Sequence, residues 1–302
     1  MTKITFGYKT KTPFIEALLQ NDSFEPLKPH SLFKKLTLKA KEYPDVYFHQ
    51  GRVDNDALDN FKHSKICIVN SHAIKAQVIE TAKVQANKIE VVYPSFVPKE
   101  IDIKASKKEF LAQLNLDKKT KIILFTANNL KNSGVKEFIH TILQLNSINF
   151  RVIIASDTQQ ITNLKFQIAK YNFEDKVLLY ENFENMDLLF AIADIFVLPT
   201  HNQAFAVNIL KAMYYKTAVF VTAYNHSSEI VDVFATMNLP NDPSTAFKID
   251  ALLSRNEDLK VIKKQNHKVA KQLTVQKGLE KFNILIEKIK SESGDSIFGG
   301  IR

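Results

Sequence analysis

Glycine is scarce in this chain, and its placement is uneven. Of the seven glycines among 302 residues, only Gly134 lies between Arg52 and Lys277. Glycine supplies the positive φ angles and the close backbone approach that loops around phosphates commonly need. A phosphate loop built from several glycines is therefore excluded across the main body of the chain.

The chain also lacks features that would indicate a secreted or membrane-spanning protein. Its single cysteine, Cys67, cannot form an internal disulfide, and its apolar neighbours in KICIVN indicate a small core residue. No run of about eighteen apolar residues predicts a membrane-spanning helix. The first residues, MTKITFGYKTKTP, lack the apolar stretch of a secretory signal. We therefore expect a protein of the reducing cytoplasm.

The charge balance is basic, with a formal net charge of +9 at pH 7. Such a charge favours anionic partners, namely nucleic acid, a membrane surface or phosphorylated substrates. No nucleic-acid-binding motif accompanies the charge, and the aromatic residues do not alternate with basic ones as a stacking platform requires. The scattered lysines are typical of solvated helix surfaces. A nucleic-acid-binding function would rest on charge alone, and we expect no nucleic-acid partner.

The most informative stretch is 193–213, ADIFVLPTHNQAFAVNILKAM. The apolar residues from Ile195 to Leu198 are typical of a strand covered on both faces. A polar loop follows, and the apolar spacing from Phe205 onward predicts a helix. A loop between a parallel strand and a helix N-terminus is where open α/β sheets hold phosphates, although an ordinary connection fits the spacing equally well.

Strands alternate with helices along the chain, which predicts parallel sheets in an α/β protein. One series ends near Pro94, and a second begins at Lys121 after a charged segment. The predicted strands are 3–8, 45–49, 65–70, 89–94, 121–126, 150–155, 176–180, 194–198 and 218–222. The predicted helices are 13–19, 31–43, 54–61, 72–84, 135–145, 161–171, 186–191, 206–215, 228–235, 244–254 and 258–290, the last with a break near Thr274.

The predicted helix 31–43, SLFKKLTLKAKEY, is amphipathic. Its apolar residues share one face, and Lys34, Lys35 and Lys41 lie away from that face. The pattern fits an ordinary surface helix, and it also fits a helix that lies on an anionic membrane. A peripheral contact with the inner face of the cell membrane is therefore one expectation.

The stretch 193–213 resembles the donor-site segment of the retaining GT-B glycosyltransferases of family 4, the group 1 glycosyltransferases. That family carries Pro-Ser-x-x-Glu-Gly-Phe-Gly, followed at a fixed spacing by a second Glu and then Ala-Met. In the same frame this chain has Pro199, Thr200, Gln203, Ala204, Phe205, Ala206, Lys211, Ala212 and Met213. The frame is kept, but Gln203 and Lys211 stand where the family has its two glutamates.

The resemblance covers about residues 60–285 and implies the GT-B fold, in which two Rossmann-like domains face a cleft. The chain is short for the family before that region, so we expect a shortened, acceptor-side N-terminal domain over 1–105. A nucleotide-sugar domain with C-terminal helices is expected over 106–290. Residues 291–302, which hold three of the seven glycines, are expected to form a mobile tail.

The resemblance also implies a donor site. In the family an Arg and a Lys in Gly-Arg-Leu-x-x-x-Lys-Gly hold the donor diphosphate, the first Glu binds sugar hydroxyls and the second binds the ribose. The corresponding loop here is FTANNLKNSGV, with Asn128 and Ser133 at the two cationic positions, directly before Gly134. Charge-assisted hydrogen bonds contribute about 1.5–3 kcal/mol each, so their loss weakens diphosphate binding unless Lys131 or Lys136 compensates.

The two positions of the family glutamates differ in what their substitutes can do. Gln203 can still accept a hydrogen bond from a sugar hydroxyl. Lys211 is a donor only, so it would contact a phosphate or turn to solvent. Ala204 and Ala206 replace the glycines on either side of Phe205, which predicts a differently shaped loop.

Two further candidates lie outside these motifs. His49, in PDVYFHQG, ends a predicted strand on the expected acceptor side and is a catalytic candidate together with Gln203. Glu229 matches a family Glu in a segment that contacts the donor. No pair of histidines or acids has the spacing of metal ligands, so we expect no metal and no cofactor besides the nucleotide-sugar substrate.

Two functions remain open at this point. The first is a cytoplasmic glycosyltransferase that transfers a sugar from a nucleotide diphosphate sugar to a cell-surface glycan, such as lipopolysaccharide or a lipid-linked acceptor. The second is a catalytically degenerate GT-B protein that serves as a binding or assembly partner. Substitution at all four expected charged positions favours the second function. The tolerance of the family for variation at these positions favours the first, which we take as the prediction.

Overall fold

The computed structural model describes residues 3–27, 41–171, 173 and 176–292, and it divides into two compact units. The first unit runs to Val97 and also includes the chain from Leu273 onward, while the second unit is Pro98–Gln272. The assignment of everything from 106 to 290 to one domain is therefore wrong for the last helix. Phe282 and Ile286 of that helix pack into the core of the first sheet, which explains the difference. Residues 293–302 of the expected tail lie outside the described residues.

The first unit contains a five-stranded parallel sheet. Its strands are β1 (Ile4–Gly7), β2 (Phe24–Pro26), β3 (Val46–Phe48), β4 (Ile66–Val69) and β5 (Ile89–Val91), in the order β2-β1-β3-β4-β5. Its helices are α1 (Pro13–Leu19), α2 (Asn55–His63), α3 (His72–Ala82) and α11 (Val275–Glu292). The strand order reverses direction between β1 and β3, so the loops after these two strands lie at the switch point of the sheet.

Apolar side chains cover both faces of this sheet. On one face Phe14 of α1 contacts Phe282 of α11 edge to face, with ring centroids 5.7 Å apart. On the other face Phe61 of α2 and Val78 of α3 are fully buried. Burial on both faces explains why β3 and β4 have continuous apolar sequences, whereas β1 alternates between buried and half-buried residues.

The second unit contains a six-stranded parallel sheet. Its strands are β6 (Lys121–Thr126), β7 (Phe150–Ser156), β8 (Val177–Glu181), β9 (Ile195–Leu198), β10 (Ala218–Thr222) and β11 (Thr236–Met237), in the order β11-β10-β9-β6-β7-β8. Its helices are α4 (Ile103–Gln113), α5 (Val135–Leu143), α6 (Thr158–Ile168), α7 (Met186–Ile192), α8 (Val207–Tyr214), α9 (Ser244–Ser254) and α10 (Asn256–Ala270). This order is that of a dinucleotide-binding Rossmann sheet, with the switch point between β6 and β9.

The predicted fold class, α/β with two Rossmann-like parallel sheets, is confirmed. Three elements, β2, α4 and β11, were not predicted from the sequence. Helix α4 lies in a charged segment and fully buries only Leu111, so its apolar periodicity is weak. The helix predicted over 228–235 is wrong, because His226–Ile230 and Val233–Ala235 are separate 3-10 turns, each capped by a polar side chain at its start.

The predicted amphipathic helix 31–43 falls mostly outside the described residues, and Lys34 and Lys35 are among those not described. Residues 41–43 of that segment are described and are not helical. The Nζ atom of Lys41 forms ion pairs with Asp56 at 3.1 Å and with Asp59 at 2.8 Å. In the part of the chain that is described, no helix combines the length and the apolar character needed to cross a bilayer.

Candidate functional site

A cavity of about 510 Å³ lies at the carboxyl ends of β6, β7 and β8 in the second unit. Ligands of open parallel sheets bind outside these strand ends, close to the switch point. The cavity combines apolar surface from α7 with amide, hydroxyl and charged groups from the loops and from α8. Its lining residues are Thr126, Ala127, Asn128, Ser156, Asp157, Asn182, Phe183, Met186, Phe190, Asn208 and Lys211. Flat apolar surface beside a few convergent polar groups is typical of a small-molecule site.

Lys211 contributes a positive charge to this cavity, and its position is fixed by a buried acid. Its Nζ atom lies 3.2 Å from Oδ1 of Asp187, a residue of α7 that is only 5% exposed. Lys99 Nζ lies 3.6 Å from the other carboxylate oxygen of Asp187. Two ammonium groups around one carboxylate leave a net positive charge, so the cluster can still attract an anion. The expectation that Lys211 turns to solvent is not met, because its side chain is 29% exposed and ion-paired.

The loop after β6 approaches the end of β9 closely, and Gly134 makes this approach possible. Gly134 has φ +85°, and a Cβ atom added there would lie 1.8 Å from the carbonyl oxygen of Pro199. The N–H of His201 donates to the carbonyl of Asn132 at 3.0 Å, so the loops after β6 and β9 are in contact. The one glycine of the main body of the chain therefore stands where two loops of the switch point meet.

The residues in and near the loop after β6 separate into two groups. Asn128 lines the cavity that Lys211 also lines, whereas Ser133 is not among the lining residues. Lys131 and Lys136 instead line a second cavity of about 550 Å³ between α5 and α6, together with His201. The structure thus gives no support to these two lysines as substitutes for the cations that Asn128 and Ser133 replace.

The loop after β9 carries Gln203 at an exposed position. Ala206 has φ −87°, and Ala204 is not among the non-glycine residues with positive φ. The two alanines therefore fit their backbone without strain. Phe205, which is 8% exposed, anchors the loop in the core. Glu229 is exposed in the turn that follows β10.

His49 directly follows β3 in the first unit, and its ring is only 4% exposed. Its Nδ1 atom lies 3.3 Å from the hydroxyl of Tyr47, and its Nε2 atom lies 3.1 Å from the carbonyl oxygen of Gly51. Burial lowers the pKa of His49 to about 4, so the ring is neutral at pH 7. With Nε2–H donating and Nδ1 accepting, both ring nitrogens are engaged within the protein. This arrangement does not support the predicted catalytic role.

Three polar residues of the cavity region, Asp187, Asn208 and Asn182, had no distinguishing signal among the sequence motifs. Asn182 directly follows β8, so a search for polar residues at the carboxyl ends of strands would have found it. The pairing of Asp187 with Lys211 depends on how α7 lies against α8, which no local pattern reports. Among the described residues, no group of three or more His, Cys, Asp and Glu is placed to hold a metal ion.

Two Rossmann-like parallel sheets, the second with a ligand-sized cavity at its carboxyl edge, define the GT-B class of fold. A family model, glycosyl transferases group 1, matches residues 106–269, which is more than half of the chain. This chain belongs to that family. The match covers the candidate cavity and both loops of the switch point.

Individual relatives agree with this assignment. An uncharacterized glycosyltransferase of Methanocaldococcus jannaschii is 26% identical over 196 residues, which are 62% of this chain and 50% of the relative. The chain thus spans about half the length of the curated relative that it matches. Anabaena HepE, solved in complex with UDP, superposes with a TM-score of 0.66 at 16% identity, over 80% of this chain and 72% of HepE. WaaG, described as a glycosyltransferase involved in lipopolysaccharide biosynthesis, superposes with a TM-score of 0.59 at 12% identity, over 92% and 97%. At these identities the solved structures establish the fold.

Proposed function

We propose that this chain is a glycosyltransferase that transfers a sugar from a nucleotide diphosphate sugar to a glycan acceptor. The observation that carries the proposal is the cavity at the carboxyl ends of β6, β7 and β8, with the amine of Lys211 fixed at its wall. Membership of the group 1 family and the UDP complex of HepE support this choice of ligand. In the reaction the bond from the anomeric carbon to the diphosphate breaks, and a bond to an acceptor oxygen forms.

The cavity suggests how a nucleotide would be held. Phe183, Met186 and Phe190 offer apolar surface on which a flat base can lie, and Asn182 and Asn208 offer amides for polar edges. We assign Lys211 to a phosphate oxygen, because an ammonium group donates but cannot accept from ribose hydroxyls. Neutralising the departing diphosphate is the main electrostatic task of such a transferase.

The sugar and the acceptor are proposed from the family resemblance. Gln203 would accept a hydrogen bond from a sugar hydroxyl, and the transfer would retain the anomeric configuration, as in family 4. The acceptor would be a cell-surface glycan of the lipopolysaccharide type. WaaG, which shares the fold, supports this choice only at the level of architecture. A lipid-linked acceptor would bring the protein to the cytoplasmic membrane surface.

The test is titration calorimetry with UDP and GDP on the wild type and on Lys211→Ala. We expect binding by the wild type and at least about tenfold weaker binding by the variant, because one charge-assisted contact to phosphate is lost. Lys118→Ala, which removes an exposed lysine from the loop before β6, serves as the matched control. No heat from the wild type at millimolar nucleotide would contradict the proposal and favour the degenerate binding or assembly partner.

The pairing of Lys211 with Asp187 complicates this test, because Lys211→Ala leaves the buried carboxylate of Asp187 with Lys99 as its one ion-pair partner among the described residues. We expect that variant to lose about 2–3 kcal/mol of unfolding free energy, less than for a fully enclosed pair because Lys99 remains. The double variant Lys211→Met, Asp187→Asn removes both charges and should recover most of the stability. If it also recovers nucleotide affinity, Lys211 is not a phosphate ligand.

A further inference from the structure

The loops at the switch points contain little glycine, yet their backbones are held by side-chain amides. Each amide side chain follows one strand and forms hydrogen bonds with the main chain of the loop that follows a neighbouring strand. In the first unit Gln50 Oε1 accepts from the N–H groups of Lys9 at 2.9 Å and Thr10 at 2.5 Å, and its Nε2 donates to the carbonyl of Thr10 at 2.9 Å. In the second unit Gln160 and Asn225 make comparable contacts with the loops after β6 and β9.

Gln160, in the first turn of α6, holds the loop after β6. Its Oε1 atom accepts from the N–H of Leu130 at 2.6 Å, and its Nε2 atom donates to the carbonyl of Asn128 at 2.8 Å. Nε2 also donates to the carboxylate of Asp157. One side chain thus satisfies a donor and an acceptor of the same loop, because an amide carries both a carbonyl oxygen and an NH2 group. The backbone on both sides of residue 129 is fixed in this way.

Asn225, which is 1% exposed, holds the loop after β9. Its Nδ2 atom donates to the carbonyls of Asn202 and Ala204, each at 2.7 Å. Its Oδ1 atom accepts from the N–H of Ser227 at 3.1 Å and from the Ser227 hydroxyl at 2.6 Å. The N–H of His226 donates to the carbonyl of Gln203 at 2.8 Å. Three consecutive carbonyls of the loop, those around Gln203, are therefore bonded to the turn after β10.

We propose that Gln160 and Asn225 are positioning residues that preorganise the loops after β6 and β9, which meet at the switch point of the second sheet. Residues 200–206 contain no glycine, and the loop after β6 has only Gly134, at its end, so positive φ angles shape little of either loop and the amide contacts hold the rest. A loop that is already fixed loses less conformational freedom when a ligand binds, so affinity is gained without a direct contact. The part of the inference that concerns nucleotide rests on the proposed function, whereas the part that concerns loop order does not.

The test combines hydrogen exchange of backbone amides with calorimetry on the full chain. Asn225→Asp keeps the acceptor toward Ser227 but loses both donors, and Gln160→Met removes all contacts of the amide. We expect each variant to raise amide exchange about tenfold or more in its own loop, 200–206 or 128–134 respectively. Each should also weaken UDP binding about five- to tenfold.

Asn266→Asp is the matched control. Asn266 is 5% exposed, and its side-chain amide donates to the carbonyl of Thr217 at 2.9 Å. The substitution therefore removes a buried amide hydrogen bond that lies outside the two loops. We expect it to lower the melting temperature without changing exchange in either loop or UDP affinity. Gln160→Glu adds a further readout. Its effect on exchange should disappear as the pH falls below about 4.5, because a protonated carboxyl regains a donor.

Unchanged loop exchange in folded Gln160→Met and Asn225→Asp would overturn the inference. If Asn225→Asp does not fold, the two Gln160 variants decide, since Gln160 is only half-buried. The variants could show faster loop exchange while the wild type binds no UDP. That result would support the role of the two amides in holding the loops and would refute the nucleotide function. Normal UDP affinity in variants with disordered loops would refute the link from loop order to binding.

Discussion

Replacing Asp194 with asparagine should destabilise the second unit by about 3–5 kcal/mol, the loss expected when a buried ion pair is broken from one side. Asp194 directly precedes β9 and is 3% exposed. Its carboxylate is paired with Lys107 of α4 and, at 2.9 Å, with Lys263 of α10, and it accepts from the N–H of Ile122 at 2.9 Å. One carboxylate therefore joins two helices to two strands.

The magnitude follows from the pKa of this carboxyl. Burial by itself would raise the pKa, but the charges of Lys263 and Lys107 and the hydrogen bonds lower it from 3.8 to about 2. This difference corresponds to about 2 kcal/mol of stability at neutral pH. Burial also lowers the pKa of Lys107, which offsets part of that gain in the wild type. Without Asp194, both lysines would remain in place without their counter-charge, so the loss exceeds the contribution of the carboxyl itself.

The assay is urea denaturation followed by circular dichroism, with hydrogen exchange at residues 122–125 to locate the loss in the second unit. Because the pKa is lowered in the folded state, the stabilisation is present above pH 3.8 and is lost as the pH falls towards 2. The difference between wild type and Asp194→Asn should thus be constant from about pH 5 to 8 and shrink below about pH 4. Asp258→Asn, at an exposed acid of α10, should cost less than about 0.5 kcal/mol. A loss below about 1 kcal/mol, or a difference at pH 2 as large as the difference at pH 7, would refute this reasoning.

Two further predictions concern Gly134 and His49. Gly134→Ala should cost at least about 2 kcal/mol more than Gly51→Ala, because both have positive φ but only at Gly134 would the added Cβ meet the Pro199 carbonyl. Urea midpoints of the two variants measure the difference, and equal losses would contradict it. His49 should titrate near pH 4 by NMR, and the wild type should lose up to about 3 kcal/mol between pH 6.5 and 4, because the folded ring resists protonation. His49→Gln should lack that loss, whereas His63→Gln, at an exposed histidine of α2, should retain it.

The order of strands and helices followed from local patterns of the sequence. Continuous apolar runs such as Ile195–Leu198 indicated strands buried on both faces, and their alternation with amphipathic helices indicated parallel sheets. These signals are local because each strand or helix must bury its own apolar surface. Short or polar elements gave no such signal, which is why β2, α4 and β11 were missed and 228–235 was wrongly predicted to be helical.

The donor-loop frame was also visible in the sequence, since the spacing from Pro199 to Met213 reflects one strand, one loop and one helix. What each side chain does was decided by tertiary structure. Lys211 was expected to meet phosphate or solvent, but α7 places the carboxylate of Asp187 beside it. His49 was expected to face a substrate, but Tyr47 and Gly51 occupy both of its nitrogens.

Sequence thus determined the elements and the loops that carry the site, because these depend on residues close together in the chain. Tertiary structure alone decided the partners of the charged and amide groups, because these come from segments far apart. Gln160 reaches the loop at 128–130, and Asn225 reaches 202–204, only after the crossovers of the sheet bring them together. A polar side chain can accept many partners in principle, and its free energy depends on which of them the fold supplies.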